Sequence, residues 1–400
     1  MRVNPASATR PRWLARAVTA ICVLTFLLRI LGALVSGRFM AYRDYYDIAV
    51  TLVNGGGFCI SPGRWCAFFP PVYPSLLAGC ILTGHFHAAA VAMSSLFAAA
   101  LVYLVWRIGD DLYGWTVGLM AAGYCAVYPY YIWHDTVVQE NATLAFAVAL
   151  AMWCLIHAGE SKRRAAVAGV ALGLCVLTKA NLLLFALLAP GWVWVASRKT
   201  GRAVVVFAAM ALTLTPWLVR TQLVVGAPVL YSNSGFSLFK GNNDYTFRYF
   251  PEKSIDEVSN SAFGELSESE DREGRRLAAA DPNGIQVSNW LWKRGMSYIE
   301  AHPWLTVWHG IRKIEIGFSP IFSPRKGLVE QTVYFVSYFP ILVGGIAGAW
   351  LSRRRWREVG YFYVLMLTFS LGTAIFWAHT SHRMYLDPYL MIFSAYAVRR

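Results

Sequence analysis

The sequence predicts an all-α polytopic membrane protein that crosses the bilayer about ten times. Hydrophobic residues make up 57% of its 400 residues and charged residues only 14%, which is too apolar for a surface that faces water. The apolar residues also gather in runs of about 15 to 22 residues, and a helix of that length crosses a hydrocarbon layer of about 30 Å. A water-soluble globular protein is therefore excluded.

Ten apolar runs are predicted to be spans, and an eleventh is too short. Residues 73–83 follow Pro70, Pro71 and Pro74, so we expect a half-inserted or interfacial helix there. The predicted spans are 14–35, 86–106, 115–133, 141–158, 165–178, 181–196, 203–219, 333–351, 359–377 and 385–398.

The runs divide the chain into three parts. Residues 1–219 form an N-terminal transmembrane module that contains a first outward loop at 36–85, residues 220–332 form a long outward segment, and residues 333–400 form the C-terminal transmembrane helices. The first run is too long for a cleavable signal and no small-residue cleavage site follows it, so we expect a retained anchor.

The positions of the basic residues predict the orientation. The formal net charge of +14 would suit nucleic acid, but the positive residues cluster in alternate loops, which is the pattern of cytoplasmic loops. We therefore expect no nucleic-acid partner, a bacterial inner-membrane location, cytoplasmic termini, and a periplasmic face for the other loops. The clusters are Arg2, Arg10, Arg12 and Arg16; Arg107; Lys162, Arg163 and Arg164; Arg198, Lys199 and Arg202; Arg353, Arg354, Arg355 and Arg357; and Arg399 and Arg400.

Interfacial helices are predicted in two outward loops. Residues 43–54 are amphipathic and aromatic, and a run of glycines stops them. In the long segment, residues 285–301 look helical, His302-Pro303 marks a break, and residues 304–316 carry tryptophans suited to the membrane surface. Residues 252–281 read as a solvated loop or surface helices.

The cysteines show no metal-ligand spacing. Five of the seven lie in apolar runs, where a thiol acts as a small hydrophobe. Cys59 and Cys66 lie in the first outward loop, where an oxidising compartment permits either a disulfide or two free thiols.

Three outward carboxylates are candidates for chemistry. Asp44 and Asp47 share one face of the first-loop helix and suit a catalytic base or an ion ligand, although a solvated face with Asp44 paired to Arg43 fits the spacing as well. Glu140 begins a span beside an aromatic loop. If the two loops converge, Asp44 and Glu140 could bind a divalent metal ion or divide acid and base roles; otherwise Glu140 is a helix N-terminal charge.

Cations recur on the same side of the membrane. Arg and Lys bind phosphate oxygens, so several of them could meet one phosphate group. For each one, contact with lipid headgroups is the alternative. These cations are Arg29, Lys179, Arg220, Lys240 and Arg383, with His379 and His382 beside the last.

Six local motifs, in this order along nearly the whole chain, resemble the GT-C class of membrane glycosyltransferases, specifically bacterial relatives of protein O-mannosyltransferases and lipid A aminoarabinose transferases. Each motif alone is weak, and their order carries the resemblance. The motifs are Asp44-Tyr45-Tyr46-Asp47-Ile48-Ala49 with Gly55-Gly56-Gly57-Phe58; residues 70–78; Pro216-Trp217-Leu218-Val219-Arg220; residues 232–238 with Gly241-Asn242-Asn243; residues 298–303 with Lys313 and Phe318-Ser319-Pro320; and residues 382–390.

The resemblance implies transfer of a sugar from a polyprenyl-phosphate carrier to a glycolipid, glycan or protein acceptor, with inversion at the anomeric carbon. It implies a first-loop aspartate as base, with Asp44 preferred over Asp47. Glu140, from its position in the outward loop, is a third catalytic candidate. Lys179 stands where many relatives have Arg. The residues expected to bind substrate or phosphate are Arg43, Lys179, Arg220, Lys240, Asn242, Asn243, His382, Arg383 and Tyr385.

Two other functions compete with a transferase. One is a transporter or flippase for a lipid-linked saccharide, and the other is a non-catalytic binder of such a lipid. Inverted repeats would favour the transporter, and the sequence shows none.

Overall fold

The described residues form a bundle of helices. The computed structural model describes residues 10–37, 41–248, 250–255, 266, 268–322, 326–377 and 379–400. Extended pairing in these residues is limited to isolated bridges, Ala41 with Val138 and Ser61 with Arg64. The predicted all-helical membrane class is confirmed.

Seventeen α-helices are described in chain order. They are α1 Leu14–Ser36, α2 Arg43–Val53, α3 Val72–Leu82, α4 Phe86–Tyr113, α5 Trp115–Val127, α6 Pro129–Asp135, α7 Asn141–Ala158, α8 Lys162–Thr178, α9 Leu183–Ser197, α10 Thr200–Val225, α11 Ser234–Gly241, α12 Glu268–Ala280, α13 Ile285–Ala301, α14 Pro303–Phe318, α15 Leu328–Leu351, α16 Trp356–Ile375 and α17 Asp387–Arg399. Short 3-10 turns cover Ala180–Leu182, Arg353–Arg355 and Thr380–Arg383.

The structure does not confirm the predicted count of about ten spans. Among the described residues, seven helical stretches are long and apolar enough to cross a membrane. The predicted span 115–133 is two helices, because Tyr128 is extended and Pro129 starts α6. Helices α8 and α17 have only 17 and 13 residues, which is shorter than the seven candidate spans.

Small residues let neighbouring helices touch. A Cβ on Gly169 of α8 would lie 2.3 Å from the Val206 oxygen of α10, and one on Gly348 of α15 would lie 1.9 Å from the Phe393 oxygen of α17. Close backbone approach of this kind is how membrane helices gain contact in the absence of a hydrophobic driving force between them. It brings the short helices α8 and α17 into the core.

The basic residues meet at one end of the bundle. Arg10 bonds Asp110 at 2.7 Å, Arg355 donates to the Leu112 oxygen at 2.7 Å, and Arg399 donates to the Tyr113 oxygen at 2.6 Å. The beginning of the described chain, the C-terminal end of α4, the turn before α16 and the end of α17 therefore lie together. The first loop and α11 lie at the other end.

The outward segment keeps the predicted helices. Helix α13 ends at Ala301 and α14 starts at Pro303, as the His302-Pro303 break predicts. Trp304 and Trp308 of α14 are 85% and 56% exposed, and α12 buries no residue. Part of the predicted polar stretch, residues 256–265 and 267, lies outside the described residues.

We predict that the basic end of the bundle faces the cytoplasm. A periplasm-active reporter fused after Ala280 should give signal, and the same reporter fused after Arg164 or Arg355 should not, because basic loops stay on the cytoplasmic side. Reporter activity in cells measures this. The reverse pattern would place the first loop in the cytoplasm.

Candidate functional site

The first-loop helix α2 presents its acidic face beside the bundle. Its other face is buried: Tyr45 stacks on Phe69 with ring centroids 4.2 Å apart and meets Tyr73 edge-on at 5.1 Å. The Tyr42 amide, at the start of α2, donates to the Val138 oxygen at 3.2 Å. This hydrogen bond joins the first loop to the segment that leads to Glu140, so the two predicted acidic loops do meet.

The two aspartates of α2 have different surroundings. Arg43 pairs with Asp47, Nε to Oδ2 at 3.5 Å, and not with Asp44 as the solvated-face alternative expected. Within the described part of the chain, no hydrogen bond or ion pair to the half-buried Asp44 carboxylate is found. Burial raises the pKa of Asp44 and the Asp47 charge adds to this, while Arg43 and Lys240 oppose it.

Glu140 and Lys179 form an ion pair at the site, with Lys179 Nζ 2.6 Å from Glu140 Oε1. The backbone of Lys179 is extended at the point where α8 ends, so its side chain does not continue along that helix. Glu140 also acts on Tyr45: burial, followed by the Glu140 charge, raises the pKa of that phenol well above its usual range. Glu140 therefore links α2 to Lys179.

This arrangement does not suit a divalent metal ion at Asp44 and Glu140. The Lys179 ammonium is paired with the Glu140 carboxylate, and its positive charge would repel a second cation there. In the ranges that the structure describes, no group of three or more His, Cys, Asp and Glu side chains is placed to hold a metal.

Lys240 and His382 complete the cluster. The Lys240 ammonium lies 5.3 Å from the centre of the Trp377 ring, and the His382 ring meets the same tryptophan edge-on at 4.5 Å. Burial, with the charges of Lys179, His379 and Lys240, holds the pKa of His382 well below its usual range. His382 is therefore neutral at pH 7, and the structure brings Lys179, Lys240 and His382 to one place.

Arg220 lies against the first outward loop. Its guanidinium donates to the Cys66 oxygen at 2.7 Å and lies over the Trp217 ring at 4.8 Å. Cys59 and Cys66 form a disulfide, the first of the two options for these thiols. The Trp65 amide donates to the Pro282 oxygen at 2.9 Å, so this loop also touches the long outward segment.

Several residues that were predicted to bind substrate are either buried in contacts with protein groups or exposed to solvent. Asn242 and Asn243 are 1% and 6% exposed and their amides bond backbone oxygens of Leu238 and Phe239, at 2.9 and 2.6 Å. Tyr385 is buried against Phe369. The Arg43 side chain is 90% exposed. A direct substrate contact by these four residues stays a prediction without support from the geometry.

Arg383 points into the bundle, as expected, but protein groups already surround it. Its guanidinium is 0% exposed and bonds Asp387 at 3.0 Å, the Gly317 oxygen at 3.0 Å and the Tyr334 hydroxyl at 2.5 Å. It also lies 3.5 Å from the centre of the Tyr338 ring. These contacts join α14, α15 and α17, and each of the three guanidinium nitrogens bonds a protein group. Arg29 is buried in the same way against Asp135, at 2.9 Å.

Trp377 was not among the predicted site residues, and Lys313 had no predicted role. Lys313 is 0% exposed. A signal for it was present, since the buried residues of α14 recur at helical spacing and Lys313 stands in that stripe with Gly310, Ile316 and Gly317. Trp377 carries no such signal, because it follows the end of α16.

A family match covers part of the chain. Residues 69–225 match the family described as dolichyl-phosphate-mannose-protein mannosyltransferase. No curated protein matches the sequence significantly. The match spans α3 to α10 and so includes Glu140, Lys179 and Arg220.

Solved structures share the fold. An oligosaccharyltransferase of Archaeoglobus fulgidus tethered to an acceptor peptide matches with a TM-score of 0.59 and 14% identity over 98% of this chain and 50% of that one. The Archaeoglobus fulgidus AglB in complex with an inhibitory peptide and a dolichol-phosphate matches with a TM-score of 0.58 and 13% identity, over 97% and 50%. This chain therefore spans about half the length of those proteins.

ArnT from Cupriavidus metallidurans bound to undecaprenyl phosphate covers 96% of this chain and 77% of its own at 12% identity, with a TM-score of 0.45. The chain has the fold of the GT-C class of membrane glycosyltransferases, which confirms the resemblance found in its motifs.

Removing the Arg383 side chain should destabilise the protein. Arg383→Ala leaves Asp387 buried without its partner, and breaking a buried ion pair costs about 3–5 kcal/mol in free energy of unfolding. Thermal unfolding of the purified protein in detergent measures the change. Arg43→Ala, at an exposed arginine, is the control and should unfold like wild type. An Arg383→Ala protein that is fully stable but no longer binds a polyprenyl phosphate would restore the phosphate role.

Proposed function

We propose that this protein is an inverting glycosyltransferase that moves a sugar from a polyprenyl-phosphate carrier to an acceptor on the periplasmic face of the bacterial inner membrane. One observation carries the proposal: a half-buried carboxylate with no partner among the described residues lies beside a cluster of cations, at one end of a bundle with the GT-C fold. A base next to a phosphate site is what this transfer requires.

Asp44 is the proposed base. The acceptor hydroxyl attacks the anomeric carbon and gives its proton to Asp44, while the bond between that carbon and the phosphate oxygen breaks. Polyprenyl phosphate leaves with the electron pair, and a single displacement inverts the anomeric centre. The raised pKa of Asp44 makes it a stronger base than an ordinary aspartate, and the pairing of Asp47 with Arg43 leaves Asp44 the better placed of the two.

Lys179 and Lys240 are the proposed phosphate cations. The phosphate gains charge as the sugar departs, and fixed ammonium groups in a site that excludes water stabilise that charge. Glu140 orients Lys179, and neutral His382 can donate a hydrogen bond without adding charge. Arg220 is a third cation at the disulfide loop, placed to meet the donor or the acceptor.

The identity of the transfer is tested with purified protein, candidate polyprenyl-phosphate sugars and candidate acceptors. Mass spectrometry should find free polyprenyl phosphate and a glycosylated acceptor. A flippase or a non-catalytic binder would leave the donor intact, and that result would end the transferase proposal.

Asp44→Asn should lower the transfer rate by about 10²–10⁴-fold with the protein still folded, because an amide keeps the volume but cannot take a proton. Asp47→Asn, one helical turn away on the same face, is the matched control and should keep most of the activity. If Asp47→Asn is inactive and Asp44→Asn is active, the base is Asp47. Activity in both variants would remove the base from α2.

The pH profile should report the surroundings of Asp44. A base must be deprotonated, so kcat/KM should fall as the pH falls through the pKa of Asp44, above the range of an ordinary aspartate. Asp47→Asn removes a charge that raises this pKa and should move the acidic limb to lower pH. Lys240→Met removes a charge that lowers it and should move the limb upward. A limb at the same pH in all three proteins would show that another group titrates.

A further inference from the structure

A buried lysine lies at the C-terminal end of α16. Lys313 of α14 donates to the Ala374 oxygen at 3.1 Å and to the Asn242 Oδ1 at 3.4 Å. No carboxylate pairs with it among the described residues. The last carbonyls of a helix lack partners within the helix and carry about half a negative charge together, so an ammonium is favoured there. Burial nevertheless lowers the pKa of Lys313 to about 7.

Asn242 binds the same helix end from α11. Its side-chain amide donates to the Ile375 oxygen at 2.8 Å and to the Leu238 oxygen at 2.9 Å. Gly241 makes this approach sterically feasible, since a Cβ there would lie 1.5 Å from the Phe376 oxygen and 3.2 Å from Lys313 Nζ. The backbones of α11 and the end of α16 are therefore in direct contact, and Lys313 lies at their junction.

Each side of this junction carries a site residue. Lys240 directly precedes Gly241 in α11, and Trp377 directly follows Phe376 after α16. The Lys240 ammonium lies over the Trp377 ring, and the His382 ring makes an edge-on contact with the same tryptophan. The distance between Lys240 and Trp377 thus depends on how α11 meets the end of α16.

We propose that Lys313 is a positioning residue, which joins α11 to the C-terminal end of α16 and thereby sets Lys240 against Trp377 and His382 for binding of the donor phosphate. The proposal rests on the transferase function for its ligand, but the junction itself is independent of that function. Lys313 contacts neither the donor nor the acceptor. It acts through Lys240.

The test uses Lys313→Met, which keeps the length of the side chain and removes its donors, and Lys313→Arg, which keeps a cation. Lys293→Met, at an exposed lysine of the neighbouring helix α13, is the matched control. Lys313→Met should raise the KM for the lipid-phosphate sugar about tenfold with kcat changed much less, because the cations bind the phosphate before and during transfer. Lys313→Arg should recover part of the loss.

A double-mutant cycle separates positioning from general stability. If Lys313 acts through Lys240, the variant with both Lys240→Met and Lys313→Met should have a KM close to that of Lys240→Met alone, since residues in one network are not additive. The proposal would be overturned if the two substitutions multiplied their effects on KM. It would also be overturned if Lys313→Met lowered kcat and the amount of folded protein equally.

Hydrogen exchange gives a readout that needs no activity. In Lys313→Met, amide exchange should rise in peptides that cover residues 234–246 and 368–377, and Lys293→Met should match wild type there. Unchanged exchange in both peptides would overturn the positioning role even if transfer is observed. If wild type performs no transfer but exchange rises as expected, the junction stands and the transferase proposal fails.

Discussion

The cost of a charge in an apolar bundle separates two kinds of ionisable residue in this protein. A buried ion without partners is strongly destabilising, so a buried charge needs a full set of hydrogen bonds. Arg29 and Arg383 have a set of partners that reaches every guanidinium nitrogen, with Asp135 and Asp387 as their anionic partners. Asp44 has no such set among the described residues, and its surroundings instead raise its pKa.

This contrast assigns roles that residue type alone does not. Arg383 and Lys240 were both predicted as outward cations, and both lie near His382. Arg383, however, donates hydrogen bonds to carbonyl, carboxylate and hydroxyl groups of three helices. Lys240 lies over the Trp377 ring and its charge acts on Asp44. Arg383 therefore joins helices of the bundle, and Lys240 is the cation that we propose for the donor phosphate.

The site is assembled from segments far apart in the chain. Asp44 comes from α2, the Glu140–Lys179 pair from the ends of α7 and α8, Lys240 from α11, and His382 from the turn before α17. Hydrogen bonds at the ends of elements fix these segments: Tyr42 to Val138 for the first loop, and Asn242 and Lys313 to the last carbonyls of α16. Each bond satisfies a backbone group that an apolar setting would otherwise leave unpaired.

Much of this arrangement was predictable from the sequence. The amphipathic pattern predicts α2, and His302-Pro303 predicts the break between α13 and α14, because these features act over a few residues. The order of the motifs indicated the GT-C class, and the outward carboxylates and cations included Asp44, Glu140, Lys179 and Lys240. The count of ten spans was not confirmed, since a run of apolar residues has the same composition whether lipid or protein surrounds it.

The sequence by itself determined the membrane class, the two chemically different ends and the set of ionisable candidates, because hydropathy and charge are properties of single residues and short windows. The tertiary structure decided which candidates remain without partners. It paired Arg43 with Asp47 and not with Asp44, surrounded Arg383 with protein acceptors, and placed Lys313 at the end of α16. Arg43 and Asp47 lie one turn apart on α2, but Lys313 and Ala374 are 61 residues apart, and only packing determines whether such a distant donor meets its acceptor.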